Sequence, residues 1–201
     1  MASETTGSEP GIEIDAQRMV DGMFEMFDEL GDLALNRVVR LTRNLEGGFN
    51  PTLITPDNVN RFKITWFTAL GELMFREMTG DNVPGAMELF LDEVRYQADQ
   101  RDETDFLDDI IAEIRSAIDA DRAYASEGIF NQPSGNGNGS SKNAGLGPVL
   151  ARTLADEAFS ANTSLSPIYG DVRQTVEDEF INAYGHATIS CSKFVVMADP
   201  S

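Results

Sequence analysis

The chain has one cysteine (Cys191), one histidine (His186) and only three lysines (Lys63, Lys142 and Lys193). A single cysteine rules out an internal disulfide framework and any multi-cysteine metal site. A single histidine, with Ala183 three residues before it, argues against the Glu-x-x-His pairs by which helical bundles hold two metal ions. No run approaches the roughly 18–20 uncharged apolar residues of a membrane span. The N-terminal MASETTGSEPG is polar and acidic, whereas a signal peptide is basic and then apolar. No membrane partner and no signal-peptide secretion are expected, and the expected location is a virion or the cytoplasm.

The lysine shortage belongs to a lopsided charge. Thirty-four acidic residues face fifteen basic ones, twelve of them arginine, for a net charge of −19. Acid excess with lysine depletion resembles the proteins of extreme halophiles. Molar salt screens such self-repulsion within about 3 Å, and in dilute buffer the same charge works against the compact state. Affinity for a phosphate backbone comes from clustered Lys and Arg, so sequence-specific nucleic-acid binding is not expected.

Apolar residues make up 41% of the 201, enough for a core. Their spacing predicts a mainly α protein. A long first helix is expected over 14–45, with Met19, Val20, Met23, Phe24, Phe27, Leu30, Ala34, Val38, Leu41 and Leu45 inward. Acidic residues fill its first half and Arg37, Arg40 and Arg43 its last turns, an order that complements the helix dipole. Residues 49–55 are expected to be extended. Thr55 and Pro56 supply the N-cap and first-position signals of a second helix ending at Gly80. Further helices are expected at 84–98, 104–125, 148–161 and 167–185.

The organisation expected is a disordered 1–12, a bundle of about four helices over 13–128, and a Gly/Asn/Ser-rich linker over 129–147. A smaller helical part follows at 148–185, and an extended strand tail at 186–201. Within that tail Phe194, Val195, Val196 and Met197 form a run apolar on both faces, which wants cover on both sides. The only evident strand mate within the chain is at 51–55, and a two-stranded ribbon alone is marginal. Ile189, Phe194, Val195, Val196 and Met197 are therefore candidate partner-binding residues by strand addition, with pairing to 51–55 within the chain as the alternative.

Catalytic patterns are thin. Glu72, Glu77, Glu88 and Glu93 lie beside apolar stripes and suggest solvated faces. Cys191 alternates within TISCSKF, without the basic surround that activates a thiol, and His186 fits the C-terminal cap of the sixth helix. Lys142 follows GSS in the wrong order for a phosphate-binding loop. No catalytic, cofactor-binding or metal residue is assigned and no cofactor is expected. Met19, Met23, Phe24, Met26 and Phe27 cover more than one narrow stripe, so they form a second candidate face, for a partner helix.

A helical bundle with a long first helix, a flexible loop and an extended C-terminal tail resembles the head–tail connector (adaptor) proteins of tailed viruses. The likeness is one of architecture and carries over no functional residue. It implies a non-enzymatic structural protein that forms a ring or other oligomer with copies of itself and contacts neighbouring structural proteins. With the acidic composition, it points to a halophilic tailed virus. The alternative is a cellular interaction or regulatory protein that binds a helix through the Met/Phe face.

Overall fold

The computed structural model describes residues 16–43, 53–78, 85–128 and 146–196. Helix α1 spans Ala16–Thr42, α2 Pro56–Gly71, α3 Ala86–Asp99, α4 Thr104–Gly128, α5 Leu146–Phe159 and α6 Tyr169–Val196. A π-helical stretch, Glu72–Met78, continues α2, and a 3-10 turn, Thr163–Ile168, leads into α6. No strand is present among the described residues. Local chemistry fixes the helix starts and turns. The Thr55 hydroxyl accepts from the Asn58 amide at 3.2 Å, Asn58 Oδ1 accepts from the Thr55 amide at 3.0 Å, and Pro56 opens the helix. Two of the four donors left open at a helix start are thereby satisfied. The turn between α3 and α4 depends on Asp102 at φ 56°, a left-handed conformation that aspartate tolerates.

Helix α2 is the axis of the molecule. It packs on α1, α3, α4 and α5, while neighbouring contacts join α1 to α3, α3 to α4, α4 to α5, α5 to α6 and α6 back to α1. Five helices thus close a ring around a sixth. From Phe62 to Phe75 every residue is buried, as expected of a helix covered on all sides. The sequence pattern marks only Val59, Phe62, Trp66, Leu70, Leu73 and Met74 as inward. Lys63, Thr65 and Thr68 disguise the burial. The threonine hydroxyls donate to the carbonyls of Arg61 and Ile64, four residues back, at 2.9 and 2.8 Å. Their polar groups are satisfied within the helix, so they can sit in the core.

Pair contacts set helix directions. Phe24 stacks on Phe67 while Asp28 and Asp32 reach Lys63, so α1 runs antiparallel to α2. Arg61 covers the Phe106 ring and Arg115 reaches Glu72, so α4 runs parallel to α2. Asp156 meets Tyr169 and Arg173 while Arg152 meets Glu177, so α5 and α6 are antiparallel. An aromatic chain ties the early and late helices together: Phe159 packs on Phe62, Phe62 stacks on Trp66, and Trp66 meets Phe180 edge-on.

This packing corrects the expected organisation. Residues 148–185 do not form a separate smaller part. Leu150, Leu154, Phe159, Val176, Phe180 and Ala187 belong to the same core as α1–α4. Helix α5 begins at Leu146, two residues before Pro148, which occupies its first turn and is tolerated there.

The strand expected at 187–197 is also corrected, because α6 continues through it to Val196. Val172, Val176, Phe180, Ala183 and Ala187 are all buried at spacings of four, four, three and four, so the helical stripe crosses Gly185. The Thr188 hydroxyl donates to the Tyr184 carbonyl four residues back at 2.9 Å. Tertiary burial of Ala183 and Ala187 here outweighs the weak local signals of one glycine and several β-branched residues. At 53–55, the described part of the proposed mate, no strand forms either. The proposed disordered N-terminus and most of the linker lie outside the described residues.

Candidate functional site

Among the described residues three charged side chains, Lys63, Glu72 and Glu179, are drawn into the body, and each ties its helix or the π-helical stretch to a neighbour. Lys63 is 5% exposed. Its ammonium donates to Asp28 Oδ1 at 2.8 Å and the Asp28 carbonyl at 3.1 Å, and lies 2.7 Å from Asp32 Oδ1. The stem crosses apolar surface while the head reaches half-solvated carboxylates. Asp28 and Asp32 are four apart, so α1 presents both on one face. Glu72 is fully buried and accepts from Arg115 Nε of α4 at 2.7 Å. It was expected on a solvated face, and the structure corrects this. Glu179 of α6, also buried, accepts from Arg37 of α1.

The close approach of α1 and α2 needs a missing side chain. Trp66 Nε1 donates to the Phe27 carbonyl at 2.9 Å, beside Gly31. A Cβ on Gly31 would stand 3.1 Å from that nitrogen.

Polar groups also gather where α2 begins and α5 ends. Asn58 Nδ2 donates to the Ala158 carbonyl at 2.7 Å, and Asn162 Nδ2 donates to Asn58 Oδ1 at 2.7 Å and to the Leu53 carbonyl at 2.6 Å. A cleft of about 410 Å³ opens beside them, edged by Asp57, Arg61 and Glu157. Nearby, Tyr169 donates to Asp156. Burial, then that hydrogen bond and the carboxylate charge, push the phenol well above its ordinary range, with Arg173 opposing. Glu113 of α4 is raised above its ordinary value by burial first, then by the charges of Glu157 and Asp156 on α5. Among the described residues no three metal-ligating side chains converge, and no helix is long and apolar enough to cross a membrane.

A second cleft opens along the seam between α1 and α6. It measures about 540 Å³ and is lined by Arg37, Arg40 and Leu41 from α1 and by Thr175, Asp178, Glu179, Ile181 and Asn182 from α6. Beyond it α6 runs on past Ala187. Ala187 is its last core residue among the side chains described, yet the helix continues to Val196. Ile189, two residues past Ala187, is 58% exposed.

The two groups of candidate residues fare differently. Met19, Met23 and Phe27 are buried in the core, and Phe24 and Met26 are partly buried against it. Phe24 stacks on Phe67 at 4.4 Å and Phe27 meets Phe90 at 5.8 Å, so the chain's own helices cover this face. In the tail, Ile189 is exposed, and Phe194, Val195 and Val196 lie on α6 with side chains outside the described set. Met197 lies outside the described residues. His186, expected to cap α6, sits exposed within it, and Cys191 lies on the same helix. The sequence reading did not single out Arg37 and Arg40 for the seam, or Leu33, which is 56% exposed. The available signal was a leucine in line with Arg37 on a helix whose other leucines face inward. No family model, no curated protein and no solved structure matches this chain.

Proposed function

We propose that this chain is a non-enzymatic structural protein that assembles with copies of itself, as a head–tail connector component of a halophilic tailed virus. The observation that carries this reading is the end of α6. The helix passes its last described core residue, Ala187, and continues to Val196 with Ile189 exposed and Phe-Val-Val as its final residues. A helix end that carries an exposed isoleucine and finishes in Phe-Val-Val is suited to packing on a neighbour. Each such side chain buried across an interface contributes on the order of 1.5–3 kcal/mol. The compact body of α1–α5 positions that end, and the charge of −19 suits assembly in strong salt, where repulsion between copies is screened. Neighbouring structural proteins are the other partners of this reading. Size-exclusion chromatography with light scattering on the full chain in molar KCl tests it. A species of many copies is expected, and a monomer at every protein concentration overturns the reading.

A further inference from the structure

A chain of net charge −19 that packs on its own copies needs a face where like charges do not meet. The seam of α1 and α6 is such a face. In its cleft Arg37 and Arg40 balance Asp178 and Glu179. Arg37 pairs with Glu179, Asp178 accepts from Gln174 at 2.9 Å, and Arg40 is exposed. The cleft also has an apolar continuation. Helix α1 brings Leu41 and Arg37 to the cleft, and α6 brings Thr175, Glu179 and Asn182. One turn back along α1 from Arg37 is Leu33, and two turns forward along α6 from Asn182 is Ile189, which keeps each on its helix's cleft side. These two residues are 56% and 58% exposed. Of the four large apolar side chains exposed among the described residues, Leu33, Ile181 and Ile189 lie on α1 and α6, and Tyr96 alone lies elsewhere.

We infer that the seam of α1 and α6 is the surface by which one copy of this chain packs on a second. A patch carrying both charge signs and an apolar strip offers a neighbouring copy an opposite charge for either sign together with an apolar contact, and such a contact repeated about an axis closes a ring. The groove between two helices also fits the ridge of a third. This inference rests on the self-assembly proposed above and assigns it to named residues. Molar salt strengthens the association, because it screens the acidic groups outside the patch to within about 3 Å while contacts inside it stay close.

The test is light scattering in molar KCl on the full chain and on Leu33→Asp, Ile189→Asp and Arg40→Glu, with a thermal melt of each. All three positions are exposed, so each variant is expected to keep the parent melting temperature. Leu33→Asp and Ile189→Asp are expected to reduce the assembled mass to that of a single chain. Arg40→Glu is expected to weaken association at least tenfold. If the parent assembles and all three variants assemble as it does, the seam is overturned while self-assembly stands. If the parent is a monomer throughout, both are overturned.

Discussion

Gly71→Ala is expected to destabilise the protein, although alanine is the better helix former. A Cβ on Gly71 would stand 2.2 Å from Phe90 Cε1 and 2.6 Å from Cδ1. Carbon atoms in contact prefer about 3.5–4.0 Å, so the ring would have to retreat by more than ~1 Å. It has nowhere to go. Phe90 is fully buried, with ring centroids of Phe75 at 4.9 Å and of Phe24 and Phe27 at 5.8 Å. Overpacking of this kind costs about 1–3 kcal/mol, against a gain of at most ~1 kcal/mol from replacing glycine within a helix. Because the ring cannot move, the cost falls at the upper end of that range, and the net loss of about 2 kcal/mol corresponds to a fall in melting temperature of roughly 4–8 °C at this chain length. Gly185→Ala is the internal control. That glycine is also helical, but nothing lies within 4 Å of a Cβ placed there, so alanine should stabilise by about 0.4–1 kcal/mol. Far-UV circular dichroism melts in molar KCl measure both. A Gly71→Ala protein that melts at or above the parent would refute the packing of α2 against α3 described here.

Arg115→Met takes one charged donor from the fully buried Glu72 and should cost about 1–3 kcal/mol. Arg95→Ala breaks only the exposed pair with Asp92 and should change stability by less than ~1 kcal/mol; equal effects in denaturant titrations would contradict the contrast. The Glu113 carboxyl is raised by burial first and then by the charges of Glu157 and Asp156, so the cost of its charge is absent below its ordinary value of 4.5, grows as pH rises above that value and is complete above the higher folded one. Glu113→Gln should therefore raise the melting temperature at pH 7 and leave it unchanged well below pH 4.5; the same gain at both pH values would show that charge is not the cause. The Tyr169 phenol is raised too, so its contribution is complete below the ordinary value of 10 and is lost as pH rises beyond it. Tyr169→Phe should flatten the alkaline limb of the stability curve. Helical signal is expected to grow from dilute buffer to molar KCl, and a full signal with an unchanged melting temperature in dilute buffer would reject the halophile reading.

The inward stripes of α1, α3, α4 and α5 are legible in the sequence because each has one apolar face and one acidic face. The start of α2 is legible because Thr55 and Pro56 have short-range roles that need no tertiary context. Helix α2 itself is only half legible: Thr65, Thr68 and Lys63 break its apolar run, and their burial depends on a carbonyl one turn away or carboxylates on another helix. Lys63 was the missed signal, as one of three lysines lodged among apolar residues. The tail misled for the opposite reason. Residues 187–196 favour a strand locally, and the contacts of Ala183 and Ala187 decide otherwise. The seam was not legible at all, since the placing of Arg37 beside Glu179 depends on a pairing 142 residues apart.

The helix at the centre of the ring has a consequence for how the chain is made. On a ribosome, α2 emerges early, at a synthesis rate of about 5–20 residues per second. Its cover arrives late: Asn58 waits for the carbonyl of Ala158, 100 residues on, and Trp66 waits for Phe180. Until then a helix meant to be wet on no side has an open flank carrying Phe62 and Trp66. A nascent chain stalled after α4 would thus be a natural client for chaperones, and the last helices complete the body by closing over its oldest part.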